Sequence, residues 1–350
     1  ERKTAYIHAV CSELEMRKEY LGGETIETIY WGGGTPSQLD KEDFETIFYY
    51  LHKNYSISSH PEITLEANPD DLTPDYIAML RTLPFNRLSM GIQTFNESIL
   101  KVLQRRHTAR QAIEAFQNCR AAGFQNISID LMYGLPGETL STWQQDLDQA
   151  LLLHPEHLSA YHLIYEEDTV LWKLREQHKV EEADEDLSVS LFSTLIDRLT
   201  SEGYDHYEIS NFSLPGLYSR HNSSYWTEKK YLGCGPSAHS YNGVSRQWNV
   251  ASLDTYIKGI SAGTPVFEIE ELDLYTRYND FVITRIRTEW GMPLSKLRDE
   301  FGEKLYDYCL RMAAPHLKQG TLELVNDILK LTRKGIFISD GIMSDMLWTD

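Results

Sequence analysis

Five short apolar runs recur in the first half of the chain, and each is followed by a segment with helical spacing. The runs lie at residues 25–31, 62–69, 86–95, 126–137 and 157–167. A strand followed each time by a helix is typical of repeated βα units, which build a parallel sheet. No turn-rich linker interrupts the series, so residues 1 to about 170 are predicted to form one domain.

The polar and glycine-rich residues of this half come where the predicted strands stop. They are Gly32 to Pro36, Glu66 to Pro69, Gln93, and Asp130 with the following Gly134 to Gly137. The carboxyl ends of parallel strands lie on one face of a sheet, and ligands bind there. The sequence therefore predicts a ligand site on that face.

Taken singly, these residues leave two interpretations open. The glycines at 32–34 match neither the phosphate-binding loop nor the dinucleotide-binding fingerprint. Backbone without β-carbons can contact a small ligand directly, but a tight strand-to-helix turn favours the same residues. For Glu66, Arg105 and Asp130, a solvated or hydrogen-bonded structural role fits at least as well as ligand binding.

Charge and cysteine content restrict the class of protein. The formal net charge of -19 argues against a nucleic-acid partner, which requires a basic face. The four cysteines are far apart in sequence and form no C-x-x-C pair, so a reducing cytoplasm is predicted. No apolar run approaches the roughly 18 to 20 residues that span a bilayer.

Four motifs in a fixed order resemble those of the radical S-adenosylmethionine superfamily. They are WGGGTP (31–36), EANP (66–69), LSMGIQTF (88–95) with Arg105 twelve residues after its glutamine, and IDLMYGLPG (129–137). The match is to the branch of oxygen-independent coproporphyrinogen III oxidases and their relatives. The resemblance implies an α/β fold: a partial (β/α)6 TIM-like barrel with S-adenosylmethionine across the carboxyl ends of its strands.

The resemblance also assigns roles to residues. It places the methionine moiety of the cofactor against the glycine loop, and its amino-acid end and ribose against polar residues of the later strands. The residues implied are Gly33, Gly34 and Thr35 for the former, and Glu66, Gln93, Arg105 and Asp130 for the latter. The superfamily holds a 4Fe-4S cluster with a C-x-x-x-C-x-x-C motif, which this chain lacks. We expect that motif, and the first barrel strand, upstream of Glu1.

The second half of the chain changes in character. Residues 1–205 are predicted to form the barrel, 206–262 a strand-and-turn extension, and 263–350 a smaller helical domain. Helices followed by two short strands with a turn at Lys334-Gly335 resemble a winged-helix-like module.

The extension carries RHNSSYW at residues 220–226, which resembles the H-N-x-x-Y-W motif of HemW-type haem chaperones. A histidine among aromatic rings suits haem, so His221 is a candidate haem-binding residue, although core packing fits the same residues. The resemblance implies a cytoplasmic chaperone that carries haem or porphyrin to haem-accepting proteins, including respiratory and membrane-bound ones.

Two other functions stay open. One is the enzyme, which decarboxylates propionates of coproporphyrinogen III through a 5′-deoxyadenosyl radical. The other is a regulatory module that binds S-adenosylmethionine and meets a partner through its winged-helix-like end.

Overall fold

The computed structural model describes residues 2–349, which divide into two compact units. The barrel unit comprises Thr28–Leu39 and Glu62–Ser219. The second unit comprises the residues up to Glu27, Asp40–Pro61, and the residues from Arg220 onward. The domain boundaries at 205 and 262 stay predictions.

A seven-stranded sheet with the order β1-β2-β3-β4-β5-β7-β6 forms a half-barrel, so the predicted fold class is confirmed. The pairs β2–β3, β3–β4 and β4–β5 are parallel, whereas β7 pairs antiparallel with both β5 and β6. The strands are β1 (Ile26–Trp31), β2 (Ile57–Ala67), β3 (Arg87–Gln93), β4 (Ile127–Tyr133), β5 (His157–His162), β6 (Asp205–Glu208) and β7 (Asn211–Ser213).

Helices connect the strands of the barrel unit, as the βα pattern predicts. Thr73 caps the first of them and Pro74 begins it, as a capping residue before a first-turn proline predicts from the sequence. Leu88, Met90 and Ile92 of β3 have no exposed surface, and β3 contacts the helix Ala109–Ala121. These helices are α3 (Pro74–Leu80), α4 (Glu97–Val102), α5 (Ala109–Ala121), α6 (Leu140–Leu152), α7 (Val170–Glu176) and α8 (Glu185–Ser201).

The second unit contains two small antiparallel sheets, with the orders β10-β9-β8 and β11-β13-β12. Its strands are β8 (His239–Tyr241), β9 (Ser245–Asn249), β10 (Phe267–Glu271), β11 (Met292–Pro293), β12 (Leu322–Val325) and β13 (Ile328–Leu331). Its helices are α1 (Arg2–Met16), α2 (Lys41–Asn54), α9 (Arg220–Trp226), α10 (Leu253–Ser261), α11 (Leu274–Ile286), α12 (Leu294–Gln319), α13 (Arg333–Ile336) and α14 (Ser339–Met346).

The winged-helix-like hairpin forms, but the predicted position of its turn is wrong. β12 and β13 are joined by Asn326 and Asp327, which both have positive φ angles, of 50° and 67°. Two positive φ angles in a row are what a two-residue hairpin turn requires, and Asn and Asp tolerate them. Lys334 and Gly335 lie in α13 instead.

A buried carboxylate organises part of the second unit. Glu13 in α1 is 1% exposed and accepts hydrogen bonds from four donors. The donors are the side chains of Arg17 (3.0 Å), Asn249 (2.7 Å) and Tyr256 (2.6 Å) and the backbone N–H of Gly235 (2.9 Å). Across residues 2–349, no helix is both long and apolar enough to cross a membrane.

Candidate cofactor site

The glycine loop follows β1 and is exposed from Gly32 to Thr35. A β-carbon at Gly32 would lie 2.7 Å from the carboxyl carbon of Glu66 and 2.6 Å from the ring of Tyr30. Gly33 has a φ of +92°, which favours glycine, whereas a β-carbon at Gly34 would meet no atom within 4 Å. The close approach in this loop therefore occurs at Gly32, which was not among the predicted site residues.

The Glu66 carboxylate holds the loop in place. Its Oε1 accepts a hydrogen bond of 2.7 Å from the Tyr30 hydroxyl, and its Oε2 accepts one of 3.1 Å from the backbone N–H of Gly33. Burial raises the pKa of Tyr30, and the charge of Glu66 raises it further, so the phenol stays a donor. Two predicted site residues, Gly33 and Glu66, are thus in direct contact.

Arg105 links the ends of β2 and β3. Its Nη2 donates to Oδ1 of Asn68 and to the carbonyl of Gly91, both at 2.8 Å. Its Nε is buried and has no hydrogen-bond partner within residues 2–349, and burial lowers the pKa of the guanidinium. Gln93 ends β3 at a bulge with a φ of +71°, and its amide is 3.0 Å from where a β-carbon on Gly91 would lie.

Asp130 lies in β4, one strand further along the sheet. Ser89 Oγ is 3.3 Å from each of its carboxylate oxygens. Burial raises the pKa of Asp130 to about 6, and the charge of Glu66 adds to this effect, while Arg87 and Ser89 oppose it. The expected hydrogen-bonding partner for this acid is therefore present, and Glu66 is close enough for its charge to affect the protonation of Asp130.

The predicted residues are brought together unequally. Gly33 contacts Glu66, and Arg105 contacts the ends of two strands. Burial raises the pKa of Asp130, and the charge of Glu66 raises it further. The residues that orient them are Tyr30, Gly32, Asn68 and Ser89. Gly32 and Asn68 belong to the strand-end segments that predicted the ligand face, whereas no sequence signal indicated Tyr30 or Ser89.

His221 lies in α9 of the second unit. Its Nε2 is 2.9 Å from the Tyr225 hydroxyl, and the two rings meet edge to face at 5.2 Å. The neighbouring Trp226 carries the guanidinium of Arg287 over its ring at 4.2 Å, and its buried Nε1 has no hydrogen-bond partner in the part of the chain described. Within the H-N-x-x-Y-W motif, His221 and Tyr225 thus contact each other, whereas Trp226 contacts Arg287.

Comparison with known proteins decides the family. The sequence model of the radical SAM superfamily matches residues 6–150, and that of the HemN C-terminal domain matches residues 272–338. The heme chaperone HemW of Mycobacterium tuberculosis H37Rv is 32% identical over 98% of this chain and 86% of its own length. The chain belongs to the HemW family of radical SAM proteins. The HemW of Bacillus subtilis 168 is 30% identical, over 98% of this chain and 91% of its own.

The solved structure of coproporphyrinogen III oxidase (HemN) from Escherichia coli, a radical SAM enzyme, shares the fold. Its TM-score is 0.84 over 99% of this chain and 84% of the enzyme, with 23% sequence identity. At this level of identity the likeness shows the fold of the HemW family member, and its chemistry has to be argued from the residues of the site.

Proposed function

We propose that this HemW family member is a haem chaperone, which holds haem and passes it to acceptor proteins. The observation that carries the proposal is the 32% identity to a named heme chaperone over 98% of this chain. Coproporphyrinogen III oxidation is the alternative, and it is supported by a shared fold at 23% identity. A cytoplasmic location and respiratory or membrane-bound acceptors belong to the same proposal.

The barrel face is proposed to bind S-adenosylmethionine, and the strand-end residues fit that group. The backbone of Gly33, Gly34 and Thr35 is exposed, and no side chain fits at Gly32, so a ligand can approach the peptide groups. The carboxylates of Glu66 and Asp130 suit an ammonium and hydroxyl groups.

Gln93 and Arg105 complete the proposed set. The unpaired Nε of Arg105 is a donor for a carboxylate or a hydroxyl group, since a buried donor without a partner is costly. S-adenosylmethionine supplies a sulfonium centre that can be cleaved to a radical when an electron is provided.

The cysteines of this chain do not fit a 4Fe-4S cluster. Cys11, Cys119 and Cys309 are buried, and burial raises the pKa of each, to about 11, 12 and 11. Cluster ligation needs thiolates that lie close together. Within residues 2–349 there is no group of three or more side chains that could hold a metal ion.

His221 is proposed to contribute to haem binding. An imidazole is a common axial ligand of haem iron, and the rings of Tyr225 and Trp226 offer apolar surface to a macrocycle. The hydrogen bond between His221 and Tyr225 would have to open for the Nε2 atom to bind iron.

Two experiments test the proposal. Haem is titrated into the protein while the Soret band is recorded, for the parent, for His221→Ala and for the control His8→Ala, whose side chain is exposed on α1. We expect the Soret band of His221→Ala to differ from that of the parent and the Soret band of His8→Ala to match it. An unchanged spectrum in His221→Ala removes His221 from the haem site.

In the second experiment, full-length protein reconstituted with iron and sulfide is incubated anaerobically with coproporphyrinogen III, S-adenosylmethionine and a reductant. Decarboxylated product formed over many turnovers would refute the chaperone function.

A further inference from the structure

Arg87 is a buried cation inside the half-barrel. It begins β3 and is 1% exposed. Because side chains alternate along a strand, Arg87, Ser89 and Gly91 face the side of the sheet opposite to the packed Leu88, Met90 and Ile92. On the neighbouring strand, Thr64 lies directly beside Arg87 in the parallel register.

The guanidinium of Arg87 lacks the partner that a buried charge requires. Its Nε is fully buried and has no hydrogen-bond partner within residues 2–349, and no ion pair joins the guanidinium to a carboxylate in that range. The hydroxyl of Thr64, which has no exposed surface, also lacks a partner. Two hydrogen-bonding groups on adjacent strands are therefore left unsatisfied side by side.

The surrounding polar groups are already paired with one another. His157 is hydrogen-bonded to Ser128 (2.8 Å) and to Tyr207 (2.6 Å), and Ser159 donates to Asn211 at 2.9 Å. Burial raises the pKa values of Asp130 and Tyr207 and lowers that of His157. The charge of Arg87 opposes the first two effects and adds to the third, so the guanidinium lies near residues of three other strands. These residues define the lumen cluster: Thr64, Arg87, Ser89, Ser128, Asp130, His157 and Tyr207.

We propose that Arg87 and Thr64 bind a carboxylate group in the lumen of the half-barrel. A buried unpaired charge is strongly unfavourable, and the planar fork of a guanidinium matches the two oxygens of a carboxylate. Arg87 lies four residues along the strand from Gly91, a distance of roughly 13 Å, and its site adjoins the proposed cofactor site through Ser89 and Asp130. It does not depend on the haem chaperone proposal.

Sodium propionate is the probe for this site. It is titrated against chloride at constant ionic strength, while binding is followed by calorimetry and the Tm by thermal unfolding. The variants are Arg87→Met and the control Arg110→Met, whose side chain is 87% exposed. We expect the parent and Arg110→Met to bind propionate and gain Tm with its concentration, and Arg87→Met to show neither.

A second comparison separates ligand binding from folding. Removing an unpaired buried charge does not destabilise a protein in the way that breaking a buried pair does, so Arg87→Met should be at least as stable as the parent without propionate. If Arg87→Met does not fold, Arg87→Lys keeps the charge and loses the fork, and should bind propionate at least tenfold more weakly. Propionate binding that survives in Arg87→Met and Arg87→Lys, or is absent from the parent, overturns the proposal.

The carboxylate can belong to a free acid or to a propionate side chain of a tetrapyrrole. Haem and its dimethyl ester, which carries no free carboxylate, are each tested as competitors of propionate. Competition by haem but not by the ester assigns the carboxylate to a tetrapyrrole. Absence of competition by either assigns it to a small acid.

Discussion

Replacing Gly32 by alanine tests the packing of the glycine loop against Glu66. The new β-carbon would lie 2.6–2.7 Å from the ring of Tyr30 and the carboxyl carbon of Glu66, whereas carbon atoms pack at about 3.5–4.0 Å. Overpacking of this kind costs about 1–3 kcal/mol. Moving Glu66 aside would relieve the overlap but break its hydrogen bonds to Tyr30 and Gly33, each of which contributes about 1.5–3 kcal/mol.

Gly34→Ala is the matched control, because a β-carbon there meets no atom within 4 Å and φ is not in the left-handed region. Both variants share the entropic gain of about 0.4–1 kcal/mol that alanine brings by restricting the unfolded chain. We therefore expect Gly34→Ala to equal or exceed the parent in free energy of unfolding. Gly32→Ala should fall below the parent by about 1–3 kcal/mol.

Urea unfolding followed by circular dichroism measures both variants against the parent. If Gly32→Ala and Gly34→Ala are equally stable, the loop does not depend on its contact with Glu66. The same proteins titrated with S-adenosylmethionine add a second measurement. Weakened binding in Gly34→Ala without loss of stability would indicate that the cofactor needs the exposed backbone of the loop.

Three further predictions concern single side chains. Tyr30→Phe removes the phenol donor to Glu66, and calorimetry should show S-adenosylmethionine binding weakened by about 1.5–3 kcal/mol; unchanged affinity would mean that Tyr30 does not orient Glu66. Asp130 has a raised pKa of about 6 in the folded state, so its contribution to stability is full below pH 4 and is lost as the pH rises through 6. Asp130→Asn should flatten this part of the pH profile of unfolding, and an unaltered profile would contradict the burial effect. Glu13→Ala leaves four donors at a buried site without their acceptor, and should lower the free energy of unfolding in urea by about 3–5 kcal/mol. The control Glu15→Ala, at an exposed position, should lower it by at most about 1 kcal/mol. Equal losses in the two variants would refute the role of Glu13.

The fold was predictable because strand and helix signals are local in sequence. The alternation of apolar runs and helical segments predicted the parallel strands, and Thr73-Pro74 predicted a helix start. The hairpin turn at Asn326-Asp327 was missed because glycine is a stronger turn indicator than Asn or Asp, which favoured Lys334-Gly335. In the structure, Thr332 caps a short helix that includes Gly335.

The candidate site was predictable only in part. The strand-end position of Glu66 and Asp130 follows from the βα pattern, but their partners are set by tertiary packing. Tyr30 and Glu66 are 36 residues apart, and Ser89 and Asp130 are 41 apart, so no local rule pairs them. The constraint at Gly32 likewise comes from side chains on two strands, which a run of three glycines does not reveal.

The charge effect of Glu66 on Asp130 has a consequence for any cation that binds near them. An acid with a pKa of about 6 carries a proton for part of the time near neutral pH, and an arriving positive charge stabilises its ionised form. Binding of such a cation then releases a fraction of a proton into solution. The measured binding enthalpy consequently varies with the ionisation enthalpy of the buffer, and the slope of that relation counts the protons that leave.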